Sequence, residues 1–243
     1  MNVNVLVFDC ETVAITTVDE DAPVKPVLQR VVAIAGAWIA PNGALLRLAA
    51  FGERTWSEAD LVQEFFRIVG DRHPQLVGWN SGGFDLPVLV YRAMAHGIAA
   101  PGFYQHGEPY HGYRKRFDEA SHIDLMDLLS FYGASRRAKL DEVALALEIP
   151  GKIGVAGDEV ASLYAEGDLP TIRAYCETDV LTTALIYSRY ALHRGWWSDE
   201  QFTTFEHSVA AFLDTVSGTQ WDQFRSVWHP TTHLLGRSPP AVT

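Results

Sequence analysis

Residues 31–40 (VVAIAGAWIA) and 44–51 (ALLRLAAF) are two apolar runs of strand length with Pro41-Asn42-Gly43 between them. Asn-Gly between such runs is a strong hairpin signal, because the tight turn needs positive φ values that these two residues tolerate. The chain must therefore hold an antiparallel pair of strands. An apolar strand over 3–9 precedes them, and QLVGWN (75–80) reads as a short strand ending in a loop. HIDLMDLLSFYG (122–133) reads as a short strand running into a helix. Helical spacing accounts for much of the rest. Ser57 with Asp60 forms an N-cap pair ahead of Leu61, Phe65, Ile68 and Val69. A helix is expected from about Phe84 to Ala95, closed by Gly97, and another over Leu140–Leu147. Pro170 opens a long helix to about His193, and Ser198 with Gln201 starts one more. Strands first and helices after, with a hairpin, predict an α/β fold: a central mixed sheet with helices on both faces, not an all-parallel doubly wound one.

No linker, repeat or low-complexity tract divides the 243 residues, so one domain is expected over 1–243, with a core of about 1–195 and additional C-terminal helices over about 198–230. Residues 97–120, rich in Gly, Pro, His and Tyr, read as a long irregular loop of the kind that is functional or mobile. PGKIGVAGDE (150–159) reads as a connection, and the end with Pro239-Pro240 as a tail. Composition excludes several classes. No apolar run approaches the roughly 18–20 residues of a membrane span, and the start has no signal-peptide pattern. Two cysteines, Cys10 and Cys176, make no disulfide framework and have no partner at metal-ligand spacing, so the expected location is cytoplasmic. A net charge of −11 does not suit a duplex-coating protein. Basic clusters at Arg114-Lys115-Arg116 and Arg136-Arg137-Lys139 leave room for a local basic groove or for plain solvated surface.

Against this background three short stretches stand out. In VLVFDCETVAI (5–15), Asp9 and Glu11 share one face of a strand while Cys10 takes the other. Two carboxylates that close repel, and they are comfortable at an exposed strand end or beneath a cation. Oxygen donors alone favour hard ions such as Mg²⁺ or Mn²⁺. In LVGWNSGGFDLPVL (76–89), a strand ends at Trp79-Asn80 and a glycine turn delivers Phe84 and Asp85 to a helix start. An Asp there complements the helix dipole, which leaves Asn80 and Phe84 unexplained. In YCETDVLTT (175–183), Tyr175 and Asp179 are four apart and share one helical face; a core Tyr with a solvated Asp would read the same.

The order Asp-x-Glu, Asn-x₃-Phe-Asp and Tyr-x₃-Asp resembles the three exonuclease motifs of the DEDD superfamily, tyrosine subtype. These are 3′–5′ exonucleases of the ribonuclease-H-like fold. WNSGGFDLPVL is most similar to the proofreading exonuclease domain of family B DNA polymerases. The whole chain resembles the small stand-alone proteins described as predicted 3′–5′ exonucleases related to that domain. The motifs span residues 9 to 179.

The resemblance implies that Asp9, Glu11, Asp85 and Asp179 hold two divalent metal ions, Mg²⁺ or Mn²⁺, and that Tyr175 positions the attacking water. It implies Asp9 between both ions, Glu11 and Asp179 at the ion that activates water, and Asp85 at the ion facing the leaving 3′-oxygen. Thr12, Trp79, Asn80 and Phe84 match positions near the terminal nucleotides; core packing is the alternative for Phe84. Tyr104, Tyr110, Tyr113 and Arg114–Arg116 are candidates for a short single-strand channel, or else belong to a mobile surface loop. His106, His111 and His122 make no zinc spacing, His122-x-Asp124 reads as ordinary structure, and Lys152 as a surface lysine or a phosphate contact. The expected activity is metal-dependent release of nucleoside monophosphates from single-stranded DNA 3′ ends. Its alternatives are the same reaction on RNA, or a non-catalytic nucleic-acid- or partner-binding module on that fold. No stretch supplies a polymerase, so a stand-alone nuclease or a subunit is expected, with a replication or repair protein as a possible partner and no membrane association.

Overall fold

The computed structural model describes residues 3–16, 24–107, 110–151 and 159–231. Lys152 with most of the glycine connection, and the Pro239-Pro240 tail, lie outside the described residues. Five strands form one sheet in the order β3-β2-β1-β4-β5. β1 (Val5–Ala14) pairs antiparallel with β2 (Gln29–Ile39), which pairs antiparallel with β3 (Leu45–Ala50). On its other edge β1 runs parallel to β4 (Gln75–Gly78), and β4 to β5 (His122–Asp124). This is the mixed sheet that the ribonuclease-H-like resemblance implies.

The hairpin forms at Asn42-Gly43: Gly43 has φ 92° and Asn42 Oδ1 accepts a hydrogen bond from the Ala44 amide. β1 is longer than its apolar run suggests. The strand continues through Asp9 and Glu11 to Ala14, because β2 pairs with it along its full length. The two acids therefore sit within the sheet, not at its frayed end. The register slips between Glu11 and Thr12, leaving Val32 of β2 as an extra residue; such bulges re-aim side chains where they occur.

Helices cover both faces. Side chains of β1 alternate between two cores. Leu6, Phe8 and Cys10 pack with α1 (Glu58–Arg72), α2 (Asp85–Ala95) and α3 (Pro101–Gln105). Val5, Val7 and Val13 face the opposite core. It is built from α7 (Leu169–His193), α8 (Asp199–Thr215) and α9 (Thr219–Val227), with α5 (Leu140–Ala146) and α6 (Val160–Glu166). A short α4 (Leu125–Leu129) follows β5. The capping boxes at Ser57/Asp60 and Ser198/Gln201 are present, and Pro170 lies in the first turn of α7.

One expectation needs correction. The stretch 97–120 contains α3, and Phe103 and Tyr113 within it are core residues. Their rings stack 5.5 Å apart, and the Tyr113 hydroxyl donates to the Pro74 carbonyl. Apolar burial thus orders part of a segment whose composition suggests a loop. The helix α6 has no counterpart in the sequence pattern. It is only seven residues long, with Val160 its one buried side chain, so it carries too little periodicity to be seen.

Candidate active site

The alternation of β1 decides which residues meet. Asp9 and Glu11 are in phase with Val5 and Val7 and face α7. On α7 the first turns present Tyr175, Cys176 and Asp179 to the same place, all buried. Ligand atoms of Asp9, Glu11 and Cys176 lie within 4.8 Å of one another. Tyr175 hydrogen-bonds Asp179, as their four-residue spacing predicts, and both Glu11 and Asp9 act electrostatically on its phenol. Burial, and then those three acids, push the Tyr175 hydroxyl well above the usual phenol range. It therefore stays protonated and can orient a water or an oxyanion but cannot serve as a base near neutrality.

Asp85 arrives from the other side. It opens α2, which covers the Cys10 face of the sheet, and the residue is 3% exposed. β1–β4 pairing ends at Val7–Val77, and Asp85 Oδ1 then accepts from the Cys10 amide at 3.1 Å. Asp85 thus takes up a backbone donor that β4 has left, directly behind Asp9 and Glu11. Burial drives its carboxyl up to about 7; its backbone hydrogen bonds oppose this, and the charge of Asp124 adds to it. It is not in the close group formed by Asp9, Glu11 and Cys176.

The turn that carries Asp85 is tightly built. Asn80 is left-handed (φ 58°), a conformation Asn tolerates better than most residues. Its carbonyl accepts from the Gly83 and Phe84 amides, and a Cβ on Gly83 would stand 2.6 Å from Asn80 Oδ1. Asp124 grips the turn from β5. Its two oxygens accept from the Asn80 and Gly82 amides, each at 3.0 Å, while Oδ1 also caps α4 at the Asp127 amide. Beside it, Ser81 Oγ and His122 Nε2 are 2.8 Å apart.

Of the residues expected near a terminal nucleotide, Thr12 is half-buried at the bulge with its hydroxyl 3.2 Å from Gln29 Oε1. Trp79 packs against the α7-side core, and Phe84 is half-buried against the α2-side core. On the far side of the turn lies a cavity of about 480 Å³, lined by Asn80, Gly83, Asp124, Arg114, Arg116 and Arg137 among others. Tyr110 is exposed and does not line it; Tyr104 is partly exposed beneath the Arg114 guanidinium.

Two contacts around this site are not visible in the sequence, where His122-x-Asp124 reads as ordinary structure and Cys176 as a cysteine without a metal-ligand partner. Asp124 acts through backbone amides 44 and 42 positions away. Cys176 has its Sγ 3.7 Å from Asp9 Oδ2 across 167 residues. The spacing of Asp124 from His122, and of Cys176 from Tyr175, carries no trace of either contact.

The donor set can accommodate hard divalent ions. Carboxylates converge from a strand and a long helix, with a further one behind them, and mutual repulsion of such groups is relieved by a cation. Among the described residues, the one close group of potential metal-binding side chains is Asp9, Glu11 and Cys176.

Comparison with known proteins agrees with the architecture. A family described as "Predicted 3'-5' exonuclease related to the exonuclease domain of PolB" matches residues 23–228, a span that holds Asn80, Phe84, Asp85, Tyr175 and Asp179 but begins after Asp9 and Glu11. Among solved structures, the family B DNA polymerase from the hyperthermophilic archaeon Pyrobaculum calidifontis aligns with a TM-score of 0.58 at 23% identity. The alignment covers 91% of this chain and 27% of that polymerase, so the chain spans about a quarter of its neighbour, and at that identity the likeness speaks to the fold. A search of curated proteins gives no match. With most of its length matched, this chain belongs to the family of predicted 3′–5′ exonucleases related to the exonuclease domain of PolB.

Proposed function

We propose that the protein is a metal-dependent 3′–5′ exonuclease acting on single-stranded DNA ends, with Asp9, Glu11, Asp85 and Asp179 as metal ligands and Tyr175 as the water-positioning residue. The observation that carries this reading is the convergence of Asp9 and Glu11 from β1 with Tyr175 and Asp179 from α7. Two divalent ions, Mg²⁺ or Mn²⁺, would supply an activated water and neutralise charge on the scissile phosphate.

The remaining work falls to the chain. Tyr175, kept protonated, donates its hydroxyl hydrogen bond to Asp179 and offers its phenol oxygen as the acceptor that holds the attacking water. The Asn80–Phe84 turn, held by Asp124, sets Phe84 and Asn80 beside the terminal nucleotide, where a half-buried ring can stack on a base. Thr12, at the bulge, offers a hydroxyl and a backbone amide at the same end of β1. Arg114, at the cavity beyond the turn, offers the approaching backbone a cation, whereas Arg116 is paired with Asp127. The Pyrobaculum relative is a DNA polymerase, which favours DNA over RNA as the substrate.

The reading is of one catalytic unit, in which α8 and α9 buttress α7. No helix among the described residues is long and apolar enough to cross a membrane. The proposed nuclease is cytoplasmic and meets free strand ends alone or beside a replication or repair partner.

The test uses 5′-labelled single-stranded DNA and matched RNA with Mg²⁺, Mn²⁺ or excess chelator, with Asp179→Ala in parallel. A ladder shortening from the 3′ end of DNA, dependent on metal and absent in the variant, is the expected result. Folded protein that yields no product from either strand under any metal would sink the proposal.

A further inference from the structure

The buried thiol of Cys176 is the feature that the exonuclease reading leaves unused. It is fully buried on α7 and points at β1, with Sγ 3.4 Å from the Asp9 carbonyl and 3.7 Å from Asp9 Oδ2. One atom each of Asp9, Glu11 and Cys176 all fall within 4.8 Å of one another. The other buried thiol, Cys10, points to the opposite core beside Asp85.

The Sγ–Oδ2 distance fits a shared coordination sphere. A tetrahedral zinc ion holds sulfur at about 2.3 Å and carboxylate oxygen at about 2.1 Å, which sets the two donors about 3.6 Å apart. The Sγ–Oδ2 separation of 3.7 Å is that distance without rearrangement. An oxygen-only site prefers Mg²⁺ or Mn²⁺, and one thiolate among the donors shifts the preference towards softer ions.

We propose that Cys176 determines the metal specificity of the site: together with Asp9 and Glu11 it forms a mixed oxygen–sulfur site that takes Zn²⁺ or Cd²⁺ in competition with Mg²⁺. The inference rests on the proposed metal site. On binding, the Cys176 S–H bond breaks, the sulfur bonds the ion and the proton passes to solvent; coordinating thiols are deprotonated in this way. A thiophilic ion seated there occupies Asp9 and Glu11 in a geometry set by sulfur, so zinc inhibits the Mg²⁺-supported reaction.

The experiment titrates the full chain with Cd²⁺, reading the ultraviolet sulfur-to-cadmium charge-transfer band and calorimetric affinity. Cys176→Ser, Cys176→Ala and Cys10→Ala are run alongside, with circular dichroism to establish that each is folded. The wild type and Cys10→Ala should show the band. Both Cys176 variants should lose it and bind Cd²⁺ about 10- to 100-fold more weakly, the scale on which metal-site substitutions act. Their Mn²⁺ affinity should stay within about threefold, since hard ions need only the carboxylates. Wild-type protein that binds Mn²⁺ but gives no band with Cd²⁺ would overturn this inference and leave the metal reading standing. A band that survives in Cys176→Ala also overturns it, by placing the sulfur at Cys10. Folded protein that binds neither ion overturns both.

Discussion

Asp85 and Asp127 are both buried aspartates near the turn between β4 and α2, 3% and 6% exposed, yet their charges meet opposite surroundings. Asp127, in the first turn of α4, is clasped by Arg116 at 2.6 and 2.8 Å and by Arg137 at 2.9 Å. The Arg116 hydrogen bonds, against burial and with help from Arg137, hold its carboxyl down to about 2. Asp85 receives a backbone amide and a thiol, and burial raises it to about 7 with Asp124 adding to the rise. The chain thus supplies cations to one buried acid and surrounds the other with more acid. The arginine clamp at Asp127 and its reverse at Asp85 are what the proposed role of Asp85 as a metal ligand requires.

The largest effect should come from the acids on the α7 side. Asp9→Ala or Asp179→Ala is expected to lower kcat/KM by about 10³-fold or more, on the several-kcal/mol scale of metal stabilisation of transition-state charge. Single-turnover assays on labelled DNA check this, and a variant with near-normal rate would break the contrast. Next in size is Asp124→Ala, which frees the Asn80 and Gly82 amides and uncaps α4. A loss of about 10- to 100-fold in activity is expected from the displaced turn, with about 1 kcal/mol of stability lost at the cap. Asp124→Asn, which keeps one acceptor, should recover part of the activity; equal loss in both would show that the turn does not depend on this carboxylate.

Two substitutions then set the paired aspartates against each other in chelated protein. Asp85 is raised, so its contribution to stability is present below its ordinary range near 4 and is lost as pH rises through about 7. Asp85→Asn should therefore be more stable than wild type above neutrality, by roughly 1–3 kcal/mol. Asp127 is depressed, so its contribution is present above its ordinary range and is lost as pH falls from near 4 towards 2. Asp127→Asn should be less stable than wild type at pH 7 by about 1–2 kcal/mol, because both arginines are half-exposed and screened. The difference should shrink as pH falls towards 2 and be lost below it, in urea melts across the range. Slopes of the same sign for the two variants would remove the comparison.

What the sequence discloses follows the range of the forces involved. The hairpin at Asn42-Gly43, the caps at Ser57 and Ser198 and the Tyr175–Asp179 pair depend on residues two to four apart, and all are legible. The joint pattern of Asp9, Glu11, Asp85 and Asp179 is legible only as a resemblance, since each acid alone has an ordinary reading. What stays hidden is set by tertiary contact. Tyr113 looks like a loop aromatic until its ring stacks on Phe103 and its hydroxyl finds the Pro74 carbonyl. Arg116 looks like surface charge until it meets Asp127. Asp124 and Cys176 act through atoms far along the chain, and no local pattern announces them.

On the proposed reading the acids around β1 and α7 bind divalent ions, whereas the clamped Asp127 does not. Calorimetric titration of metal-free protein with Mn²⁺, alongside Asp179→Ala and Asp127→Asn, tests it most directly. Two ions should bind the wild type and Asp127→Asn, with a rise in Tm as ligand linkage requires, and Asp179→Ala should lose at least one. No Mn²⁺ binding by folded wild-type protein, or unchanged binding by Asp179→Ala, would contradict the account.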